Sequence, residues 1–311
     1  MSTHSVAPAM AARRRHSAAW LVVVGAAAVL VLVAVTSLGI GAMPMPAGRV
    51  VALLAAELGF ESGALVGVDA TTIARERAVL VAIRAPRVLG AILIGASLAV
   101  SGATLQGLFR NPLADPALVG VSAGAAVATA AVIILGGAMA AWTRPIAAFF
   151  GSLAATALVY VLATRDRRTD VATLLLAGIA VNALAGAGNG LFTFLADDAQ
   201  LRDITFWTLG SLGGLTWRAL AVSGPVMMLG ILVLPRLARE LNALLLGERE
   251  AAHIGTNVQL VKVVSVALVA AGVGASVSVS GIIGFIGLVA PHLVRLSIGP
   301  DYRTLLPGSA V

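Results

Sequence analysis

The residues able to do chemistry are few, and where they fall matters more than how many there are. Four histidines, His4, His16, His253 and His292, lie too far apart to suggest a metal motif, and there is no cysteine. Disulfides and thiolate-bound metals are thereby excluded. No Asp or Glu falls inside any of the long apolar runs, and Asp170 and the single lysine, Lys262, sit only at the ends of such runs. Carriers coupled to protons or sodium generally need carboxylates or other polar relays at membrane depth. An ATP-binding P-loop needs Gly-Lys-Ser/Thr, but Lys262 is followed by Val263. The chain thus has no catalytic or metal-ligating candidate, no ion-coupling relay and no nucleotide site. If it moves a solute, a partner must supply the energy.

The elements that carry these residues are membrane helices. Apolar residues make up 59% of the chain and charged residues 11%, against about 25% charged in a soluble domain. Runs near the roughly 20 residues needed to span are Ala18–Ala42, Val88–Phe109, Ala117–Ala141, Ile146–Thr164, Val171–Ala196, Ala219–Leu234 and Val258–Ser280. Gly281–Val294 is too short to cross comfortably and reads as a buried or re-entrant helix. Leu305–Val311 reads as the start of a further span. The expected fold class is all-α and polytopic, a single transmembrane domain over residues 1–311. The net charge of +7 comes from twenty Arg and one Lys. It points to loops meeting anionic lipid, not to nucleic acid. Loop arginines are nearly balanced between the two sides, so the Arg13-Arg14-Arg15 cluster before the first span sets the expected orientation, N-terminus cytoplasmic.

Two further patterns stand out. Ser101-Gly102, then Asn111-Pro112 and Pro116, is echoed by Ser280-Gly281, Gly284, Gly287, Pro291-His292 and Pro307. Five spans separate the two copies, so they have opposite orientation, the inverted-repeat pattern of transporters. The connection 235–257 is the longest on the cytoplasmic side. Leu241, Leu244 and Leu245 recur at helical spacing, Gly247 breaks the chain, and a short helix from Glu248 to His253 closes on Gly255 as a C-cap. Two short helices at a corner suit docking into a groove on another protein, or lying on the lipid surface.

The chain resembles the permease subunits of ABC importers for iron-siderophores, heme and cobalamin. The matching segments are Arg84-Ala-Pro-Arg87, Ser101-Gly102 through Gln106, Arg110-Asn-Pro-Leu-Ala-Asp-Pro116 and Gly120-Val-Ser-Ala-Gly124. They continue through Leu176-Ala-Gly178 with Asn182, Trp207 with Gly210, and Leu246-Gly-Glu248. The last are Gly284-Phe-Ile-Gly-Leu-Val-Ala-Pro-His292 with Arg295, Asp301, Arg303 and Leu305-Leu-Pro307. The resemblance covers Arg84 to the end in the family's order. The N-terminal span and the loop Met43–Arg77 match loosely, and the chain stops near the eighth of the family's ten spans.

The resemblance implies a homodimer around a central pathway in a bacterial inner membrane. Two ATP-binding cassette subunits, carrying ATP and Mg, would bind below, and a periplasmic substrate-binding protein above. It implies that Gly247, Glu248, Arg249, Ala252, His253 and Gly255 form the segment seated in the ATPase cleft. It also implies that Arg84 and Arg87, with Arg295 or Arg303 assisting, meet acidic residues of the binding protein. The segment Leu195–Trp207 and Asp115 look closest to heme-transporting members, so heme is the expected cargo, with a ferric siderophore or cobalamin as alternatives. The Pro291-His292 pair is shared with members that carry no heme and is not read as a ligand. An ion-driven carrier, or a structural or receptor-like membrane subunit, is the competing class; co-purification of an ATPase separates them.

Overall fold

A backbone in hydrocarbon must satisfy its own hydrogen bonds, which leaves the helix as the spanning element for a chain of this composition. The computed structural model describes residues 6–57, 59–60, 68–136 and 142–311, with side chains from residue 18 onward. The side chains of Arg13, Arg14 and Arg15, residues 58 and 61–67 of the Met43–Arg77 loop and the last residues of the run Ala117–Ala141 lie outside the described residues.

The chain opens with α1 (Val6–Gly39) and α2 (Ala47–Glu57). Next, α3 (Ala70–Val79) runs through a π-helical turn, Leu80–Arg84, straight into α4 (Ala85–Leu108). A 3-10 turn, Pro116–Val119, leads to α5 (Val121–Leu135) and α6 (Thr143–Leu162). A two-stranded hairpin, β1 (Thr164–Arg165) with β2 (Arg168–Thr169), is followed by α7 (Val171–Leu195), α8 (Asp198–Leu209) and α9 (Trp217–Val233). Then come α10 (Ala238–Leu244), α11 (Glu248–His253), α12 (Val258–Ser280), α13 (Ile286–Ile298) and α14 (Tyr302–Ser309). Among the described residues, six helices are long and apolar enough to cross a membrane, and α5 and α13 are shorter apolar ones.

The core forms where small residues let helices touch. Two-thirds of the most apolar stretch of α4 and of α12 is buried, against about a tenth for α1 and a fifth for α7. At the crossing of α4 and α13, a Cβ on Gly102 would stand 1.8 Å from the Gly287 carbonyl oxygen. Between α5 and α6, one on Gly124 would stand 2.3 Å from the carbonyl of Gly151. Gly178 of α7 is held as closely by the Leu118 carbonyl, again at 1.8 Å.

The boundaries differ from the expected ones most at α4. The continuous helical run of α3, the π-helical turn and α4 begins at Ala70, not Val88, and its first half carries Arg75, Glu76, Arg77, Arg84 and Arg87. Partners explain how it tolerates them. Glu76, 5% exposed, pairs with Arg49 of α2 at 2.8 Å, and Arg77 pairs with Glu57.

The second difference concerns direction. Residues 281–285 are not helical, and α13 starts beside Gly102, well down the length of α4. Its 13 residues add about 20 Å, which carries the chain on to the end where α4 finishes. There Asn242 of α10 donates to Asp301 at 2.7 Å and accepts from the Tyr302 amide at 3.1 Å. A Cβ on Gly107 would press on the Tyr302 ring at 2.8 Å. Gly281–Val294 is therefore a non-helical leader, with positive φ at Gly281 and Phe285, plus the first part of a helix that reaches this end, not a self-contained re-entrant helix.

Candidate functional site

Two ends of the bundle carry the charged and exposed groups. One holds the β-hairpin, α10, α11 and the start of α14; the other holds the start of α4, α8 and the end of α1.

At the hairpin end, α11 is a six-residue helix bounded by glycines that no side chain could replace without strain. Gly247 has φ +122°, and a Cβ there would lie 2.1 Å from a Glu250 carboxylate oxygen. Gly255, at φ +92°, closes the helix: its amide bonds the Ala252 carbonyl at 3.0 Å and the Thr256 amide bonds that of Ala251 at 2.9 Å. This is the paired C-cap of a Schellman turn, as the glycine implied. Ala251 is wholly buried and holds α11 to the bundle, whereas Arg249, Ala252, His253 and Gly255 are exposed. Leu246 and Ile254 stand 67% and 66% exposed on either side of the helix, and Leu245 is also exposed. The result is a small apolar knob ringed by Arg249 and His253.

Glu248 is only partly on that free surface. It pairs with Lys262 at 2.7 Å, and the lysine is buried at 3% exposure. Fourteen residues separate the two, so sequence spacing gave no signal of the pair.

The four arginines expected to face a docking protein do not share a face. Arg84 lies within the π-helical turn, 9% exposed, and its guanidinium donates to the Leu38 carbonyl at 2.7 Å and to the Met43 carbonyl. It ties up carbonyls at and beyond the end of α1, an arrangement a cation at a helix C-terminus favours. Gly41 makes room for it; a Cβ there would sit 2.8 Å from Arg84 Nη2. Arg87, one turn on, is exposed. Arg295 and Arg303 are at the hairpin end. Arg295 donates to Gln106 Oε1 at 2.8 Å, and Gln106 is near the last turn of α4. The 22 residues from Arg84 to Gln106 place these groups about 33 Å apart along the helix. Only Arg87 remains as a free arginine of the original four at the α8 end.

Between the ends, α7 presents an open apolar face. Leu176, Ile179, Leu184, Leu191 and Phe194 are all more than half exposed. Gly186 and Gly190 on the same helix have nothing within 4 Å of where a Cβ would be. Among the described residues, no three His, Asp or Glu side chains gather where they could hold a metal ion. His292 is exposed on α13.

Comparison with known proteins adds the following. The FecCD transport family matches residues 11–311. A hemin transport system permease protein from Yersinia pestis is 48% identical over 237 residues, covering 74% of this chain and 70% of that one. A cobalamin import system permease protein from Halobacterium salinarum is 45% identical over 229 residues, 74% of this chain and 62% of that one. A vitamin B12 import system permease protein from Vibrio cholerae is 41% identical over 236 residues, 74% of this chain and 69% of that one. The chain thus spans between three-fifths and seven-tenths of the length of these relatives. A solved chain described as a metal-chelate type ABC transporter in an inward-facing conformation superposes with a TM-score of 0.79 at 29% identity, over 93% of this chain and 85% of that one.

Proposed function

Because this chain belongs to the FecCD transport family, we propose that it is the membrane-embedded permease subunit of an ATP-driven importer whose cargo is heme. In this reading two copies enclose a pathway, the exposed face of α7 belongs to that interior, and two ATP-binding cassette subunits hydrolyse ATP outside this chain. A soluble binding protein delivers the cargo to the α8 end, where Arg87 helps receive it. The α11 end is then cytoplasmic, and so is the N-terminus.

The observation that carries the reading is the α10–α11 corner. Its exposed Leu245, Leu246, Ala252 and Ile254, bounded by Arg249 and His253, are a protruding shape suited to a groove on a partner. The absence of carboxylates from the apolar runs supports an external energy source. Heme is favoured by the hemin permease from Yersinia pestis, the most identical of the three relatives described above. The cobalamin permease from Halobacterium salinarum supports a second reading, cobalamin, at 45% identity.

Reconstitution in liposomes tests both. With its ATPase and binding protein, the complex is expected to take up heme only when ATP is present. ATP-dependent uptake of cobalamin or a ferric siderophore without heme reverses the cargo, and uptake driven by a proton or sodium gradient without ATP removes the importer reading altogether.

A further inference from the structure

Of the 21 Lys and Arg side chains only one is a lysine, and it is the most deeply buried charged side chain among the described residues. Lys262 sits just over one turn into α12 and is 3% exposed. Its Nζ donates to the Thr169 carbonyl at 2.6 Å and to Glu248 Oε2 at 2.8 Å. One ammonium therefore joins α11, through Glu248, to the end of the hairpin between α6 and α7.

The hairpin side of the joint is itself fully tied. The Thr169 amide donates to Gln259 Oε1 at 3.1 Å, and Gln259 Nε2 donates to Thr169 Oγ1 at 2.7 Å and to the Tyr160 hydroxyl at 2.8 Å. Thr169 Oγ1 also donates to Tyr160 OH at 2.8 Å. The next residue, Asp170, caps α7 by accepting from the Thr173 amide at 2.7 Å. The connection runs without a gap from α11 through Lys262 and Thr169 to the first turn of α7. Among the described residues, Glu248 is the only side chain of α11 with a hydrogen bond to another element. The hydrophobic seat of Ala251 can slide; a short bond between fixed charges cannot.

We propose that Lys262 is a positioning residue that makes α11, the foot of α12 and the α6–α7 hairpin move as one body. A displacement of α11 by the ATPase is thereby delivered to α7. The inference rests on the reading that α11 seats in an ATPase. A buried ion pair adds little net stability compared with apolar packing, so the main effect of this one is directional.

The two partners are not equivalent as test sites. Glu248→Ala would strand a buried ammonium without its counter-charge, which is strongly destabilising. Lys262→Met removes the buried charge and leaves Glu248, whose side chain is 40% exposed, to water, so the fold is expected to survive. Lys262→Arg keeps donors for both acceptors.

The natural absence of cysteine lets spin labels be placed on Arg167→Cys, at the hairpin turn, and Ala252→Cys, on α11, in the full chain. Distances are read without the ATPase, and transport is read separately on unlabelled complexes. The expected result is one narrow distance distribution with Lys262 or Arg and a broadened one with Met. In the complex, Lys262→Met should still recruit the ATPase and hydrolyse ATP, while cargo moved per ATP falls about tenfold and Arg restores it. An equally narrow distribution in Lys262→Met, or an unchanged ratio of cargo to ATP, overturns the proposal. If even the unsubstituted chain fails to recruit an ATPase, it is the importer reading that fails, and the distance measurement still decides whether Lys262 holds the two elements together.

Discussion

A guanidinium near the end of a helix can serve a partner protein or the helix itself, and its exposure decides which. Arg84 and Arg87 stand three residues apart, yet Arg84 is spent on the carbonyls of Leu38 and Met43 while Arg87 is free. Truncating Arg84 to Ala should leave buried carbonyls unpartnered, at about 1–3 kcal/mol, visible as a lower unfolding temperature in detergent. Arg87→Glu should leave that temperature alone. It should instead slow capture of the binding protein severalfold at low salt, the difference fading at high salt because exposed charge pairs act through screened steering. Equal association rates at low salt would take Arg87 out of the docking face. Asp170 offers a pH signature. Its carboxyl is held below the ordinary Asp range, first by the backbone N–H of Thr173, then by the Thr173 hydroxyl, with Lys262 nearby adding to the effect. A depressed folded value stabilises above the unfolded one, about pH 3.9, and that stability is lost as pH falls through the folded value. The stability gap between the natural chain and Asp170→Asn should therefore stay flat from pH 8 to 5 and shrink only below about pH 4. The exposed Arg87 and the glycine-bounded α11 were legible in the sequence as candidates. The pairings beside them were not, because Glu248 with Lys262 and Arg84 with Leu38 meet only through tertiary packing.

At the scale of elements, the spans from α6 to α12 were readable to within a few residues, since uninterrupted apolar runs have few alternatives in a membrane. The start of the α3–α4 run was not, because Arg75, Glu76 and Arg77 of α3 interrupt its apolar pattern and only Arg49 and Glu57 on α2 reveal how Glu76 and Arg77 are tolerated. The path of α13 was missed for a related reason. A helix of 13 residues reaches the far end only because the five preceding residues are not helical, with positive φ at Gly281 and Phe285, and hydropathy cannot see that. The misjudged path is also what grouped Arg295 and Arg303 with Arg84 and Arg87, from which they are separated by the length of α4. Gly102→Ala tests the crossing that fixes α13. The added methyl would collide with the Gly287 carbonyl, so α4 and α13 must part, at about 1–3 kcal/mol. Gly95→Ala on the same helix, where nothing lies within 4 Å, should unfold with the natural chain. At the other functional element, deletion of residues 247–255 should abolish ATPase recruitment while the membrane helices remain folded. An assembled, ATP-hydrolysing complex after the deletion would exclude α11 as the coupling element.

For the whole molecule, the charge-poor helices separate two ends that carry the charged and exposed groups. The hairpin end offers an apolar knob on a small helix, and the α8 end offers an exposed arginine above a capped helix terminus. In the proposed homodimer, the exposed leucines of α7 offer a ligand no group to coordinate. This suits a cargo released by its carrier and required to leave again, since a strong site partway along would trap it.

The two open glycines of α7 have a consequence for how such a path can be dissected. A methyl placed at Gly186 or Gly190 meets empty space in a single subunit, so its effect on the isolated chain's stability should be nil. Any effect must come from whatever occupies that space in the working assembly. If α7 lines the proposed pathway, the two positions are gauges of bore: Gly186→Ala and Gly190→Ala would narrow it without touching its wall, and a cargo whose passage falls with the added methyl must pass close by.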